Sequence, residues 1–296
     1  SYLCHLDGMH MLEGVAPGNV NHPGTPVQCI VAAVVWLSGF GSPSGIPDTA
    51  FAAAELLLRR AGTVMLVLDT GGLLILGWVV RRRFGRLTPA WLAQTTPFLT
   101  MLTLKHGIEI EPEPMLLLGV ALLAAAMVEQ ASRPRPAMII ALGVVIGFGA
   151  ACKITGAPLG LAPLLLIEGW RPRVGFVVAA ALSFAVFLLP AIGGADRAAL
   201  WFFDLASHSG TYGAGPDNVV NLARYPHDFA KLFFARPLFL LPYFAAVAVL
   251  LLRRRRGLAV RGPARALFAI LAAQLAQIAL SAKHPSAHYI LPALEL

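Results

Sequence analysis

Apolar and polar positions alternate along this chain in long blocks, not in the short periods of a soluble domain. Residues 27–40 (VQCIVAAVVWLSGF) are apolar but fall short of the roughly 20 residues that a spanning helix needs. A Gly/Pro/Ser turn region follows at 41–49, and 50–61 reads as amphipathic. Apolar segments then occupy 62–80, 87–104, 114–128, 137–152, 154–168, 174–192, 237–252 and 264–282, and another begins near Tyr289. The segments of about ten alternating residues that mark a membrane β-barrel are missing. The pattern predicts an all-α, polytopic transmembrane helical bundle with about eight or nine spans. It forms a single transmembrane domain over 1–296, in which 1–61 supplies an external loop with juxtamembrane helices and 193–236 a large external loop.

Composition agrees. Hydrophobic residues make up 57% of the chain and charged ones 13%, with mean hydropathy +0.72; soluble domains are about a quarter charged. The net charge of +8 does not point to nucleic acid, because no basic stripe interleaves with aromatics. The arginines instead fall in short runs after alternate apolar segments: Arg81–Arg83 and Arg86, Arg133 and Arg135, Arg171 and Arg173, and Arg253–Arg256 with Arg261 and Arg265. The positive-inside rule assigns these junctions to the cytoplasm. Residues 105–113, Lys153, 193–236 and 283–288 then face outward. The region 27–61 must start and finish outside, as interfacial helices or a re-entrant hairpin, with Arg59 and Arg60 on the unfavoured side. All eight histidines and all four lysines fall at the outer face or its helix ends, a segregation expected of an external active site. The chain lacks an initiating Met and a signal-like n-region, and stops as an apolar segment gets under way. It reads as a piece of a longer protein, without its first transmembrane helix and C-terminal part.

The densest polar stretch is 5–28, with His5, Asp7, His10, Glu13 and His22 and a turn at Asn21-His22-Pro23-Gly24-Thr25-Pro26. Such a stretch belongs at a membrane surface or in a wet cavity. Asp7 suits a general base or a cation-supporting carboxylate, against the plainer reading of a helix cap or a solvated loop residue. Glu109, Glu111 and Glu113 open the 114–128 helix beside Lys105 and His106; the helix N-terminus alone favours carboxylates, while their density suits a ligand or metal. Lys153 and Lys283, with His284 and His288, are potential cations at outer helix ends, fit for an anionic phosphate or for snorkelling. The 154–168 segment is broken by Gly156, Pro158, Gly160 and Pro163, and Asp69 lies mid-segment in 62–80. Cys4, Cys29 and Cys152 form no metal spacing and no evident disulfide framework. Walker, Rossmann, HExxH and GxSxG patterns are absent from the sequence.

In their shared order these pieces resemble the GT-C superfamily of membrane glycosyltransferases, in the branch of protein O-mannosyltransferases and aminoarabinose transferases. The likeness lies in Asp7 in the first external loop, the His22-Pro23-Gly24 turn, and Glu111 or Glu113 opening a later helix. It continues through Cys152-Lys153-Ile154-Thr155-Gly156, the large external loop, and the ending Lys283…His288-Tyr289 with Leu291 and Pro292. The resemblance implies inverting transfer of a sugar from a polyprenyl-phosphate donor to a lipid, glycan or protein acceptor. The site would face outward from a bacterial inner membrane. It implies Asp7 as the catalytic carboxylate and His22, Glu111, Glu113, Lys153, Lys283, His288 and Tyr289 as substrate-binding residues, Lys153 and Lys283 holding the carrier phosphate. Metal dependence varies within the superfamily, so a divalent ion is left open as cofactor. Two other classes compete. A transporter or flippase would use the broken helix and Asp69, although no internal repeat is visible. An assembly subunit without chemistry would tolerate replacement of the outer polar residues.

Overall fold

Among the described residues, which are 2–20, 24–40, 48–107, 109–209, 215–234, 236–259 and 262–296 of a computed structural model, every regular element is helical. In chain order these are α1 (Tyr2–Leu12), α2 (Thr25–Val35), α3 (Asp48–Ala52), α4 (Ala54–Phe84), α5 (Leu87–Thr95), α6 (Met101–His106), α7 (Pro112–Ser132) and α8 (Pro136–Cys152). They continue with α9 (Leu161–Leu166), α10 (Trp170–Leu188), α11 (Ala195–Ser207), α12 (Tyr225–Phe234), α13 (Pro237–Arg255), α14 (Pro263–Lys283) and α15 (Leu291–Glu295).

Five of these are long and apolar enough to cross a membrane: α4, α7, α10 with its continuation through α11, α13 and α14. Shorter apolar helices lie at Thr25–Phe40, Pro136–Cys152 and Ile154–Leu166. Their outward surface is oily. Leu66, Val67, Leu74 and Trp78 of α4, Val178, Leu182 and Val186 of α10, and Leu241, Phe244 and Leu252 of α13 all stand exposed. A continuous apolar face of this extent needs lipid, not water, against it. The chain is an integral membrane protein.

α7 is the axis of the bundle. Its side chains enter three apolar clusters: Met115 and Leu116 with α1, α2 and α4; Ala121 and Ala125 with α4 and α5; Leu123 and Met127 with α8, α9 and α14. α13, by contrast, buries only Phe239. α8 and α10 meet backbone to backbone across Gly143 and Gly147. A Cβ on Gly147 would lie 2.4 Å from the Ala180 carbonyl oxygen, and one on Gly143 would lie 2.6 Å from Ala179 Cβ. This is the small-xxx-small spacing that lets membrane helices approach closely. Ser183 Oγ adds a hydrogen bond to the Val144 carbonyl (2.9 Å).

The arginine junctions lie together at one end of the bundle. There Arg83 at the end of α4 pairs with Glu129 of α7, and Arg265 at the start of α14 pairs with Glu168 after α9. Lys153, Glu113 and Lys283 lie at the opposite helix ends, called here the histidine end.

Several segment boundaries differ from those in the sequence. Residues 54–61 of the amphipathic stretch and the apolar 62–80 stretch fuse into α4, whose 31 residues extend about 46 Å at 1.5 Å per residue. That exceeds a hydrocarbon core of about 30 Å. Arg59 and Arg60 therefore sit on the overhanging end of a helix, bonded to Glu55 (2.7 Å) and Ser38 (2.8 Å). The 87–104 stretch is broken into α5, a 3-10 turn at Thr96–Leu99 and α6, because Pro97 cannot donate into the ladder. The break at 154–168 falls where the prolines and glycines put it: a 3-10 turn at Ile154–Gly160 precedes α9. The 193–236 region carries α11 and α12 of its own, and α12 packs Leu232 and Phe233 against α13 and α14.

Candidate active site

α8 ends at Lys153, whose extended backbone (φ −158°, ψ 127°) turns its side chain inward before the 3-10 turn begins. It meets Glu113 in the first turn of α7, and the two form an ion pair that is almost wholly buried. The remaining Glu113 oxygen, Oε2, is buried and has no hydrogen-bond partner among the described residues. Lys153 Nζ lies 5.0 Å from the centre of the Tyr289 ring, within cation–π range. His288 packs edge-on against Tyr289 at 4.4 Å between ring centres, and its Nδ1 bonds Ser286 Oγ at 2.9 Å. Burial and the neighbouring Lys153 cation push the His288 pKa down to about 4 against the opposing pull of Glu113, so the imidazole is neutral at pH 7.

The segment that delivers His288 and Tyr289 is pinned to α14. Gln277 Nε2 and Ser281 Oγ both donate to the Tyr289 carbonyl (2.8 and 3.3 Å), and Gln274 Nε2 donates to that of Ala293 (2.9 Å). These three side chains went unnoticed in the sequence. Their spacing of three and four residues along one helix face is the signal that could have found them.

His106, closing α6, lies 6.1 Å from His288 between ring centres. Its Nδ1 is 2.9 Å from Glu109 Oε2 and 3.7 Å from Glu111 Oε2. The three offer one ligand atom each within 4.8 Å of one another. Imidazole with two carboxylates suits a divalent first-row metal or, through the carboxylates, Mg²⁺. Burial, reinforced by the charges of Glu113 and Glu109, raises the Glu111 pKa; a cation there would relieve that repulsion. Glu109 and Glu111 also line an open cavity of about 690 Å³, together with Tyr2, Glu55, Arg59 and Thr63.

Asp7 is buried on α1 and organises the loop that follows. Its Oδ1 accepts from the Gly18 and Asn19 amides (2.7 and 3.2 Å), and its Oδ2 from Gln28 Nε2 (3.0 Å). Gln28 Nε2 also reaches the Asn19 carbonyl (2.8 Å), and Arg197 of α11 donates to the carbonyls of Pro17 and Gly18. One turn before Asp7, burial pushes the Cys4 thiol up to about 11, and the carboxylates of Asp7, Glu111 and Glu113 push it the same way. α1 thus brings Asp7 to the same end of the bundle as the α7 acids. His22 and its proline lie outside the described residues. Gly24, which closes that turn, donates its amide to the Cys152 carbonyl (3.2 Å), so α2 starts against the residue preceding Lys153. Beside it an apolar cavity of about 370 Å³ opens, lined by Thr25, Val20, Leu188, Ile192 and Phe202 among others.

The structure therefore brings Glu111, Glu113, Lys153, His288 and Tyr289 into one cluster with His106. Lys283 is engaged elsewhere: its Nζ donates to the carbonyls of Leu205 and Ala206 (2.7 and 2.6 Å) at the end of α11, where His284 also bonds Leu205. Asp69 faces the bundle interior, buried in mid-α4 with Oδ1 lacking a partner among the described residues. No protein-family model, no curated protein and no solved structure matches the chain.

Proposed function

We propose that this protein is a glycosyltransferase of GT-C type, with about eight or nine spans within residues 1–296, that moves a sugar from a polyprenyl-phosphate donor to an acceptor outside a bacterial inner membrane. The observation that carries the reading is the buried Lys153–Glu113 pair with Tyr289 and His288 against it, set at the end of apolar helices. A polyprenyl phosphate leaves as a stable anion, so the enzyme has to neutralise phosphate charge and take a proton from the acceptor. Lys153 supplies the charge, exchanging part of its bond to Glu113 for the phosphate. The apolar cavity beside the start of α2 suits the first isoprene units of the carrier, and the open cavity bordered by Glu109 and Glu111 suits a polar acceptor.

In the transfer, the acceptor oxygen bonds to the anomeric carbon as the carbon–phosphate oxygen bond breaks with inversion. The acceptor proton passes to a carboxylate, for which Asp7 is the proposed base. Among the described residues its Oδ2 accepts from Gln28 alone, and a carboxylate oxygen has room for a second partner. His106, Glu109 and Glu111 would hold a divalent ion if the enzyme uses one, and bound there it would add positive charge near the phosphate. Reconstituting the full-length protein in vesicles with a polyprenyl-linked sugar tests the reading. Asp7→Asn is expected to lower transfer by at least about a hundredfold, the lower bound of what one general base contributes. Unchanged turnover removes Asp7 from the chemistry.

Buried Asp69 favours a second reading, a transporter, since intramembrane carboxylates mark ion pathways. Substrate flux without transfer, lost in Asp69→Asn, is the result that reading requires.

A further inference from the structure

At the arginine end, away from every residue of the proposed active site, three helices begin around one pocket. The cavity, of about 300 Å³, is bounded by Arg135 and Pro136 at the start of α8, by Pro172 in the first turn of α10, and by Gly262 and Arg265 at the start of α14. These helices have 17, 19 and 21 residues, and no side chain caps the N-terminus of any of them. Three positive dipole ends therefore point toward the same space, an arrangement that attracts anions.

A second observation points to a ligand. Gln130 lines the cavity and is only 6% exposed. Its Oε1 accepts from the Arg135 amide (3.0 Å), which leaves its Nε2 donor without a partner among the described residues. Arg135 stands exposed at the mouth. Arg265 spends Nε on the Leu165 carbonyl (2.8 Å) and Nη1 on Glu168, whose side chain is 78% exposed. Glu168 is the one acid of the lining; Arg133, Arg171 and Arg173 stand exposed close by in sequence. Behind the polar mouth the walls are Ile139, Leu166 and Ile167.

We propose that this pocket binds a phosphate group, and that its source is the headgroup of an anionic phospholipid. Gln130 Nε2, the Arg135 guanidinium and the uncapped helix starts meet the phosphate oxygens, and the apolar walls meet the glycerol and upper acyl carbons. Basic pockets between helices at a membrane boundary recognise such headgroups. The inference does not depend on the transfer reaction, because it shares no residue with it.

The test is lipid binding by the full-length protein in detergent, followed by native mass spectrometry with phosphatidylglycerol against phosphatidylcholine. Phosphatidylglycerol is expected to bind preferentially. Arg135→Gln should weaken it about fivefold, the effect of losing one cation near an anionic headgroup, and Gln130→Met should also weaken it. Arg254→Gln, an exposed arginine at the same end, should leave it unchanged. Equal losses in Arg135→Gln and Arg254→Gln, or no preference for the anionic lipid, overturn the proposal. A thermal melt establishes that each variant is folded, and Arg135→Gln alone decides if Gln130→Met is not. Competition by inorganic phosphate would show that the phosphate group is sufficient and make a soluble phosphate the source. Selective lipid binding without competition ties the site to the membrane.

Discussion

At the arginine end of the bundle Arg81, Arg82, Arg254, Arg255 and Arg256 stand exposed, whereas at the histidine end Glu113 and Lys153 are sealed among apolar helices. Exposed guanidinium groups keep their hydration and satisfy the charge bias of membrane topology at little energetic cost. A buried pair is different. Removing each ion from water costs several kcal/mol, and apolar residues of the same volume are often as stable or more so. Topology alone accounts for the first arrangement. The second needs something that uses the charge, which is why the functional reading rests there.

The largest effect that can sharpen this contrast comes from separating the pair. Lys153→Met leaves Glu113 buried without its cation and is expected to destabilise the protein by about 3–5 kcal/mol. Lys153→Met with Glu113→Leu should recover most of that stability while leaving the proposed sugar transfer abolished. Unfolding in detergent measures the first, the vesicle assay the second. Equal stability of the single and double variants would mean that the pair is not buried in the membrane protein, and the contrast between the ends would fail.

A smaller effect concerns His5, which α1 buries at the histidine end with only 2% of its surface exposed. Burial holds its pKa below the ordinary 6.5. As pH falls through 6.5 the unfolded chain takes up a proton that the folded chain does not. Stability therefore falls with pH below about 6.5 and is unaffected by this group above it. His5→Phe should flatten that part of the stability–pH curve. An unchanged slope would show that His5 meets water.

Smallest of all is the exposed pair Glu55–Arg59, with side chains 74% and 76% open to solvent. Glu55→Gln is expected to cost under about 0.5 kcal/mol, vanishing in high salt. A cost comparable to that of Lys153→Met would erase the distinction between buried and exposed ions on which the comparison depends.

What the sequence made legible follows from what one dimension records. Hydropathy and arginine runs located the arginine-bearing ends of α4, α7, α10 and α13, because water and lipid act on each segment independently. Gly156, Pro158 and Pro163 placed the break after Lys153 for the same local reason. Partner choice was not legible. Nothing local joins Glu113 to Lys153, 40 residues apart, or sends Lys283 to the end of α11 rather than to the acids. The fusion of 50–61 with 62–80 escaped because Glu55, Arg59 and Arg60 broke the apolar run without breaking the helix: charged side chains on an overhanging end are compatible with helical backbone. His106 was visible only as a neighbour of acids. Its approach to His288, 182 positions later, needed the fold.

The glycine seam between α8 and α10 has a mechanical corollary. Two rods whose backbones meet at Gly143 and Gly147 cannot slide or part without losing that close packing, so they serve as a fixed beam. Lys153 stands at one tip of that beam. Whatever admits a bulky guest near it has to give way on the other side, where α1, α2 and the chain around Ala287–Glu295 are short pieces, the last of them tied to α14 by Gln274, Gln277 and Ser281.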